Sequence, residues 1–173
     1  IDVVTLYYPV ANESYKIDNI TIHPLGIRSK KKRFYLLGLF KGCLKIYSLQ
    51  KKNNYQGILS FWYGKTALFG QLLSFFLKIK HFCWLQGQDV KPSNPYFKLF
   101  RLKPSKLITV GINHQALLNK FQNLANSTVA NVAITSKNFP SLNQNKREID
   151  IIGIGNLGSI KNYSLFIDVI YEI

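Results

Sequence analysis

Short β-branched segments alternate with segments of helical hydrophobic spacing along most of this 173-residue chain. Strands separated by helices of this length favour parallel strands joined by crossover helices, which predicts an α/β fold with a doubly wound, Rossmann-like parallel sheet. The pattern predicts strands at residues 3–6, 20–22, 58–61, 81–85, 106–110 and 129–132, with helices at 34–49, 66–79, 96–102 and 113–121. Asn113 is the predicted N-cap of the last of these helices.

A polar segment at residues 136–147 interrupts the alternation. It contains Pro140 and has no hydrophobic periodicity, so we predict a linker there. After it the pattern restarts with a strand at 149–152, a glycine-rich turn and an amphipathic helix at 163–170. The sequence therefore predicts a first domain at residues 1–135, a linker at 136–147, and the first strand and helix of a second domain at 148–173.

The chain is strongly basic, with 23 Lys and Arg against 8 Asp and Glu and a formal net charge of +15. A positive field favours phosphate-bearing partners, namely nucleic acids, anionic lipids or nucleotide diphosphates. A compositional bias toward Lys, Asn, Ile and Phe is the alternative explanation. Arg is the side chain best suited to bidentate hydrogen bonds with bases and phosphates, and only four of the basic residues are Arg. We therefore predict no nucleic-acid partner.

The remaining reactive residue types exclude several classes of site. Cys43 and Cys83 lie in apolar stretches, which indicates buried free thiols in a reducing, cytoplasmic compartment. The three histidines are scattered without nearby Cys or carboxylates, so no metal site is predicted. We also recognise no serine nucleophile paired with a base. The most apolar segment, residues 67–77, is too short to cross a bilayer, which takes about 20 residues.

The turn Gly153-Ile-Gly155-Asn-Leu-Gly158 matches the pattern G-x-G-x-x-G between a predicted strand and a predicted helix. This is the dinucleotide-binding fingerprint, and it keeps a nicotinamide-dependent oxidoreductase as an alternative function. Two details count against it. Glu172, the candidate ribose contact, falls at the end of the predicted helix instead of a second strand, and Asn162 is large for a helix face packed on a strand.

The same turn resembles another family more closely. Residues 152–167 resemble the opening of the donor domain in family-4 glycosyltransferases, which are retaining enzymes of the two-domain GT-B fold. The matching positions are Gly155, Leu157, Lys161 and Asn162. The resemblance implies that Gly155, Asn156 and Lys161 bind the diphosphate of the donor, since backbone N–H groups and a Lys at a helix N-terminus favour an anion. Asn156 stands where many members carry a phosphate-binding Arg.

Two upstream segments extend the resemblance. Residues 60–64 resemble the family's strand and aromatic-rich loop facing the interdomain cleft, and residues 84–89 resemble its His-Gly-x-Asp segment at the carboxyl end of a strand. The implied acceptor-side residues are Trp62, Gln86, Gly87, Gln88 and Asp89. Gly87 would let the backbone approach a sugar, and Asp89 would accept hydrogen bonds from its hydroxyl groups. The alternative for Asp89 is a turn-forming carboxylate before Pro92.

The resemblance implies a function for the chain. It predicts transfer of a sugar from a nucleoside-diphosphate sugar to a hydroxyl of a saccharide or lipid-linked acceptor, with retention and without a metal or other cofactor. Such reactions build polysaccharides and glycoconjugates. It also implies that the chain begins at the family's second strand and carries only the opening of the donor domain. We therefore expect the 173-residue chain alone to lack transferase activity.

A basic cluster formed by Lys30, Lys31, Lys32 and Arg33 leads into the predicted helix at 34–49. Basic residues beside an amphipathic helix can bind an anionic membrane, so we predict peripheral contact with the inner face of a membrane. A solvated run of charge is the alternative. This cluster also keeps a third function class open, a non-catalytic basic module that binds membranes or nucleic acid.

Overall fold

The computed structural model describes residues 1–7, 13–27, 32–131, 133, 151 and 162–172. The chain divides into two compact units, Ile1–Ala133 and Ile134–Ile173. The strands of the first unit are β1 (Asp2–Thr5), β2 (Tyr15–Ile17), β3 (Ile20–Pro24), β4 (Gly57–Phe61), β5 (Lys80–Leu85), β6 (Leu107–Thr109) and β7 (Thr128–Val129). Its helices are α1 (Lys32–Asn53), α2 (Lys65–Leu77), α3 (Tyr96–Leu99) and α4 (Ile112–Gln122), and the second unit contains α5 (Tyr163–Tyr171).

A four-stranded parallel sheet of order β4-β5-β6-β7 forms the centre of the first unit. Helices follow β4 and β6 and flank the sheet, as expected when every strand is parallel and every connection must cross over. The prediction of an α/β fold with a Rossmann-like, doubly wound parallel sheet is confirmed. The α5 helix agrees with the helix predicted at 163–170. The predicted linker at 136–147 and, apart from Ile151, the predicted strand at 149–152 lie outside the described residues.

A second, smaller sheet has the order β1-β3-β2. Strands β1 and β3 are parallel, whereas β2 is antiparallel to β3. The sequence pattern missed β2 because its three residues, Tyr-Lys-Ile, form no apolar run, in contrast to the three residues of β6. Its turn explains the pairing: Ile17 is opposite Ile20, so Asp18 and Asn19 alone close the hairpin, with Asp18 at φ 51. A positive φ is what two-residue hairpin turns require, and Asp tolerates it.

The prediction that Asn113 is the N-cap of α4 was wrong. The N-cap is Gly111, and Asn113 lies within the first turn of the helix with its side chain exposed. The helix follows β6 almost directly, so it begins at Ile112, a residue that is 74% exposed and gives no amphipathic signal of a helix start. A short strand-to-helix connection of this kind is usual in α/β units.

The core of the first unit lies around the parallel sheet. The largest side chains that are fully buried include Tyr63, Leu85, Leu107 and Leu118, contributed by the loop after β4, by β5, by β6 and by α4. The Tyr63 ring stacks on Phe97 with 3.9 Å between ring centroids. These side chains join the sheet, α4 and α3 into one apolar cluster.

Helix α2 packs very closely on β4 and β5 at Gly70. A Cβ atom at this position would clash with Ser60 Oγ and would lie 2.5 Å from His81 Nε2. Beneath the glycine the buried polar groups are paired: Ser60 Oγ is 3.0 Å from His81 Nε2, and His81 Nδ1 is 3.1 Å from Gln71 Oε1. Ser60 also donates to the Thr66 carbonyl at 3.1 Å. The absence of a side chain at Gly70 therefore makes room for a buried hydrogen-bond network.

The His81 ring gives stability a pH dependence. Burial, reinforced by the positive charge of Lys106, lowers the pKa of His81 to about 4. The folded protein thus favours the neutral ring, so this contribution is complete above the unfolded pKa of about 6.5 and is lost as the pH falls toward 4. We expect the free energy of unfolding, measured with denaturant, to fall by up to about 3 kcal/mol over that pH range because of this group. His81→Asn, which cannot titrate, should reduce the dependence of the free energy of unfolding on pH. An unchanged pH dependence would contradict this assignment.

Candidate functional site

The loops that follow β4 and β5 lie side by side at the carboxyl edge of the parallel sheet, because those strands are neighbours. Open α/β sheets bind their ligands outside this edge. The structure brings together in these two loops all five residues that the sequence predicted for the acceptor side: Trp62, Gln86, Gly87, Gln88 and Asp89. This edge is the candidate functional site.

The carboxylate of Asp89 connects the two loops. It is only 7% exposed, and its oxygens accept hydrogen bonds from the backbone N–H groups of Tyr63 at 2.9 Å, Gln86 at 3.0 Å and Gly87 at 2.9 Å. Hydrogen bonds to an ionised acceptor are stronger than neutral ones, so this carboxylate fixes the shape of both loops. These contacts are those of a turn-forming Asp; its predicted contact with sugar hydroxyls stays a prediction.

Two residues that the sequence analysis did not select support the same loops. Asn94 donates from Nδ2 to the carbonyls of Tyr63 at 2.8 Å and Asp89 at 2.6 Å. The hydroxyl of Tyr63 donates to the Phe100 carbonyl at 2.9 Å and accepts from the Leu102 N–H at 3.2 Å. Burial raises the pKa of Tyr63 to about 12, so the hydroxyl stays protonated and able to donate. The Asn94-Pro95 pair, a common turn signal, was the only sequence sign of this support.

Gly87 takes a conformation that favours glycine, with φ 125. Its carbonyl lies 3.0 Å from His114 Nε2, and the His114 ring is buried. Since a carbonyl only accepts, the ring proton of His114 sits on Nε2, and Nδ1 is left without a partner within the described part of the chain. His114 therefore fixes the Gly87 loop from the α4 side, across 27 residues of sequence.

Trp62 is the most exposed aromatic of this edge. It is 52% exposed and has φ 72, an unusual backbone conformation for a bulky residue. Such strain costs about 1–3 kcal/mol and is concentrated at functional sites. The half-buried Gln86 and the exposed Gln88 project amide groups from the neighbouring loop. An aromatic face beside neutral amide donors and acceptors suits a polyhydroxylated, uncharged ligand.

Helices α2 and α4 both begin at this edge. Their N-caps are Gly64 and Gly111, which have no side chain that could bond to the first N–H groups of each helix. The aligned peptide dipoles of a helix produce a positive potential at its N-terminus. The edge therefore also favours oxygen ligands that carry partial or full negative charge.

Comparison with known proteins adds no family to these observations. No family model, no curated protein and no solved structure matches the chain. The resemblance to family-4 glycosyltransferases thus stays a prediction from the quoted segments.

Several predicted site residues cannot be placed. The donor-side residues Gly155, Asn156 and Lys161, the other glycines of the fingerprint, and Lys30 and Lys31 of the basic cluster lie outside the described residues. Lys32 and Arg33 form the first turn of α1. After the donor-side turn, Asn162 is the N-cap of α5, with φ 46.

A Ser–His–Asp chain in the smaller sheet was not recognised from the sequence. Ser14 Oγ lies 2.7 Å from His23 Nδ1, and His23 Nε2 lies 2.6 Å from Asp2 Oδ1. The hydroxyl of Tyr55, just before β4, donates to the other oxygen of Asp2. Hydrogen bonds from Tyr55 and then His23 lower the pKa of the Asp2 carboxyl. Because both carboxylate oxygens of Asp2 are already hydrogen-bonded, we interpret these side chains as a structural link between β1, β3 and the segment before β4.

Neither a metal-ligand cluster nor a membrane-spanning helix occurs among the described residues. No group of three His, Cys, Asp or Glu side chains among them lies close enough to hold a metal ion. No helix in the described part of the chain is both long and apolar enough to cross a membrane.

Proposed function

We propose that the chain is part of a retaining glycosyltransferase that moves a sugar from a nucleoside-diphosphate sugar to an acceptor hydroxyl. One observation carries the proposal: Asp89 joins the loops after β4 and β5, so that Trp62, Gln86 and Gln88 are presented together at the ligand-binding edge of a parallel sheet. The products would be polysaccharides or glycoconjugates.

The acceptor would bind at this edge. The exposed Trp62 ring can stack against the apolar face of a sugar, and the Gln86 and Gln88 amides can bond its hydroxyl groups in either direction. Gly87 lets the acceptor approach the backbone, while Asp89 and His114 act as positioning residues that keep the loop in shape. The acceptor that fits this chemistry is a saccharide or a lipid-linked saccharide.

The donor would bind through the turn at residues 155–161, as the resemblance implies. Gly155 would expose backbone N–H groups, Asn156 would donate from its amide, and Lys161 would supply a positive charge. These groups would stabilise the negative charge that develops on the leaving diphosphate as the bond to the sugar breaks. No metal or other cofactor is assigned a role in this proposal.

We also propose a cytoplasmic location with peripheral contact at the inner face of the membrane. Cys43 and Cys83 are free thiols, in keeping with a reducing compartment. The basic cluster Lys30, Lys31, Lys32 and Arg33 would face anionic lipid headgroups.

Calorimetric titration tests the donor side. The chain should bind UDP- or GDP-linked hexoses more tightly than NAD, and Lys161→Ala should weaken that binding about tenfold through loss of one charge-assisted contact. Lys120→Ala, on the exposed side of α4, is the matched control and should leave binding unchanged. Tighter binding of NAD that survives Lys161→Ala but is lost in Gly158→Val would favour the oxidoreductase alternative and refute the proposal.

A further inference from the structure

Helix α1 carries an apolar stripe on its exposed surface. Its four side chains are 50–62% exposed and are spaced three, four and three residues apart, which places them on one face of the helix. They are Leu37, Phe40, Leu44 and Tyr47, and we call them the α1 stripe. Large apolar side chains in a continuous exposed row mark an interaction site more often than single ones do.

The stripe is not the face by which α1 packs on the protein. That face is formed by other residues: Leu39 is 6% exposed, and Gly42 is buried so close to Leu25 that a Cβ atom would lie 2.7 Å from Leu25 Cδ1. On the helix these positions lie away from the stripe. The first unit already has its contact with α1, so the stripe is additional apolar surface.

The apolar surface continues onto α2. Tyr47 and Lys51 of α1 line an open groove together with Phe76 of α2, and Phe76 and its neighbour Phe75 are each 75% exposed. The stripe and the carboxyl end of α2 therefore form one surface of leucine and aromatic side chains.

The charge around this surface has one sign. The 70 residues between Asp18 and Asp89 contain no Asp or Glu and twelve Lys and Arg. Four of these lysines belong to α1 beside or within the stripe: Lys41, Lys45, Lys51 and Lys52. Helical spacing puts Lys51 among the stripe residues and the other three along one side of it. An apolar face flanked by lysines alone is the pattern of helices that lie in a membrane interface.

We propose that the α1 stripe docks on the surface of an anionic lipid bilayer, with its leucine and aromatic side chains among the acyl chains and the lysines over the headgroups. A second copy of the chain would bring two rows of lysine together, which opposes dimerisation through this face. A duplex nucleic acid would satisfy the lysines but would leave the leucines without a partner. This docking does not rest on the transferase proposal, and it adds a defined apolar face on α1 to the basic cluster proposed above.

Flotation with lipid vesicles tests the docking. The chain should bind vesicles made of phosphatidylglycerol and phosphatidylcholine in equal parts, with no nucleotide sugar present. Its binding to vesicles of phosphatidylcholine alone should be at least about tenfold weaker. The variant L37Q/F40Q/L44Q should bind the anionic vesicles at least about tenfold more weakly than the unmodified chain. Neutralising the lysines in K41Q/K45Q/K51Q/K52Q should have an effect of similar size.

The matched control is I112Q/L117Q/F121Q, which removes three exposed apolar side chains from α4, and it should bind vesicles as the unmodified chain does. Circular dichroism establishes that each variant folds. Vesicle binding that is absent, or that L37Q/F40Q/L44Q leaves unchanged, would overturn the proposal. The proposal would also be overturned if light scattering showed that the unmodified chain is a dimer and L37Q/F40Q/L44Q a monomer. Binding of duplex DNA that this variant abolishes would overturn it as well. Unchanged nucleotide binding by the same variant keeps this outcome separate from the transferase test.

Discussion

Replacing Asp89 with alanine should lower the free energy of unfolding by about 4 kcal/mol, since it leaves one buried and two half-buried backbone donors unpaired at once. The carboxylate is 7% exposed and accepts from three backbone N–H groups, those of Tyr63, Gln86 and Gly87. Urea unfolding at neutral pH, followed by circular dichroism, measures the change.

Asp89→Asn separates the charge from the shape of this residue. It turns one acceptor oxygen into an NH2 group that faces backbone donors, so we expect a loss of about 2 kcal/mol. Asp18→Asn is the matched control, because Asp18 lies in an exposed turn at φ 51, a conformation that Asn also tolerates. That control should stay within about 0.5 kcal/mol of the unmodified chain. Equal effects of the two substitutions would refute the organising role of Asp89.

Gly70→Val should have the second large effect, a loss of at least about 3 kcal/mol, because overpacking and a broken buried hydrogen bond act together. The new side chain would occupy the space of Ser60 Oγ and lie against His81 Nε2. To relieve this clash, either α2 must move away from the sheet or the Ser60–His81 hydrogen bond must break. Thermal and urea unfolding both report the change.

Gly64→Val is the matched control for Gly70→Val. Gly64 has a negative φ, and the nearest atom to a Cβ there is a ring carbon of Tyr96 at 4.0 Å, which is ordinary contact. Its substitution should cost no more than about 1 kcal/mol, the usual range for a weakened N-cap. If Gly70→Val were as mild as this control, the close packing of α2 on β4 and β5 would be wrong.

The parallel sheet could be predicted from the sequence because its strands lie in apolar or β-branched runs, and the longest of them shows an alternating pattern. In β5, for example, buried and less buried residues alternate from His81 to Leu85. The β2 hairpin could not be predicted from the pattern, since Tyr15–Ile17 forms no apolar run, in contrast to β6, and its turn uses Asp and Asn instead of glycine. The start of α4 was also missed, because its N-cap is a glycine and its first residue is exposed.

The clustering of Trp62, Gln86 and Gly87 at one edge follows from the rule that neighbouring parallel strands end together. The role of Asp89 does not follow from it. Whether a carboxylate meets solvent or three backbone N–H groups depends on loops that only the folded chain brings together. The His114 contact with the Gly87 carbonyl joins residues 27 positions apart, and no local pattern encodes it.

The nucleotide titration, followed residue by residue in the amide spectrum of the isotope-labelled chain, tests whether the donor binds at the glycine turn and the acceptor at the β4 and β5 loops. We expect a UDP- or GDP-linked hexose to shift the amide signals of Gly155, Asn156 and Lys161. An oligosaccharide acceptor should shift the Trp62 indole and the amides of Gln86, Gly87 and Gln88. Shifts at the glycine turn caused by NAD alone would contradict the transferase proposal. Saccharide shifts confined to residues away from the β4 and β5 loops would contradict it equally.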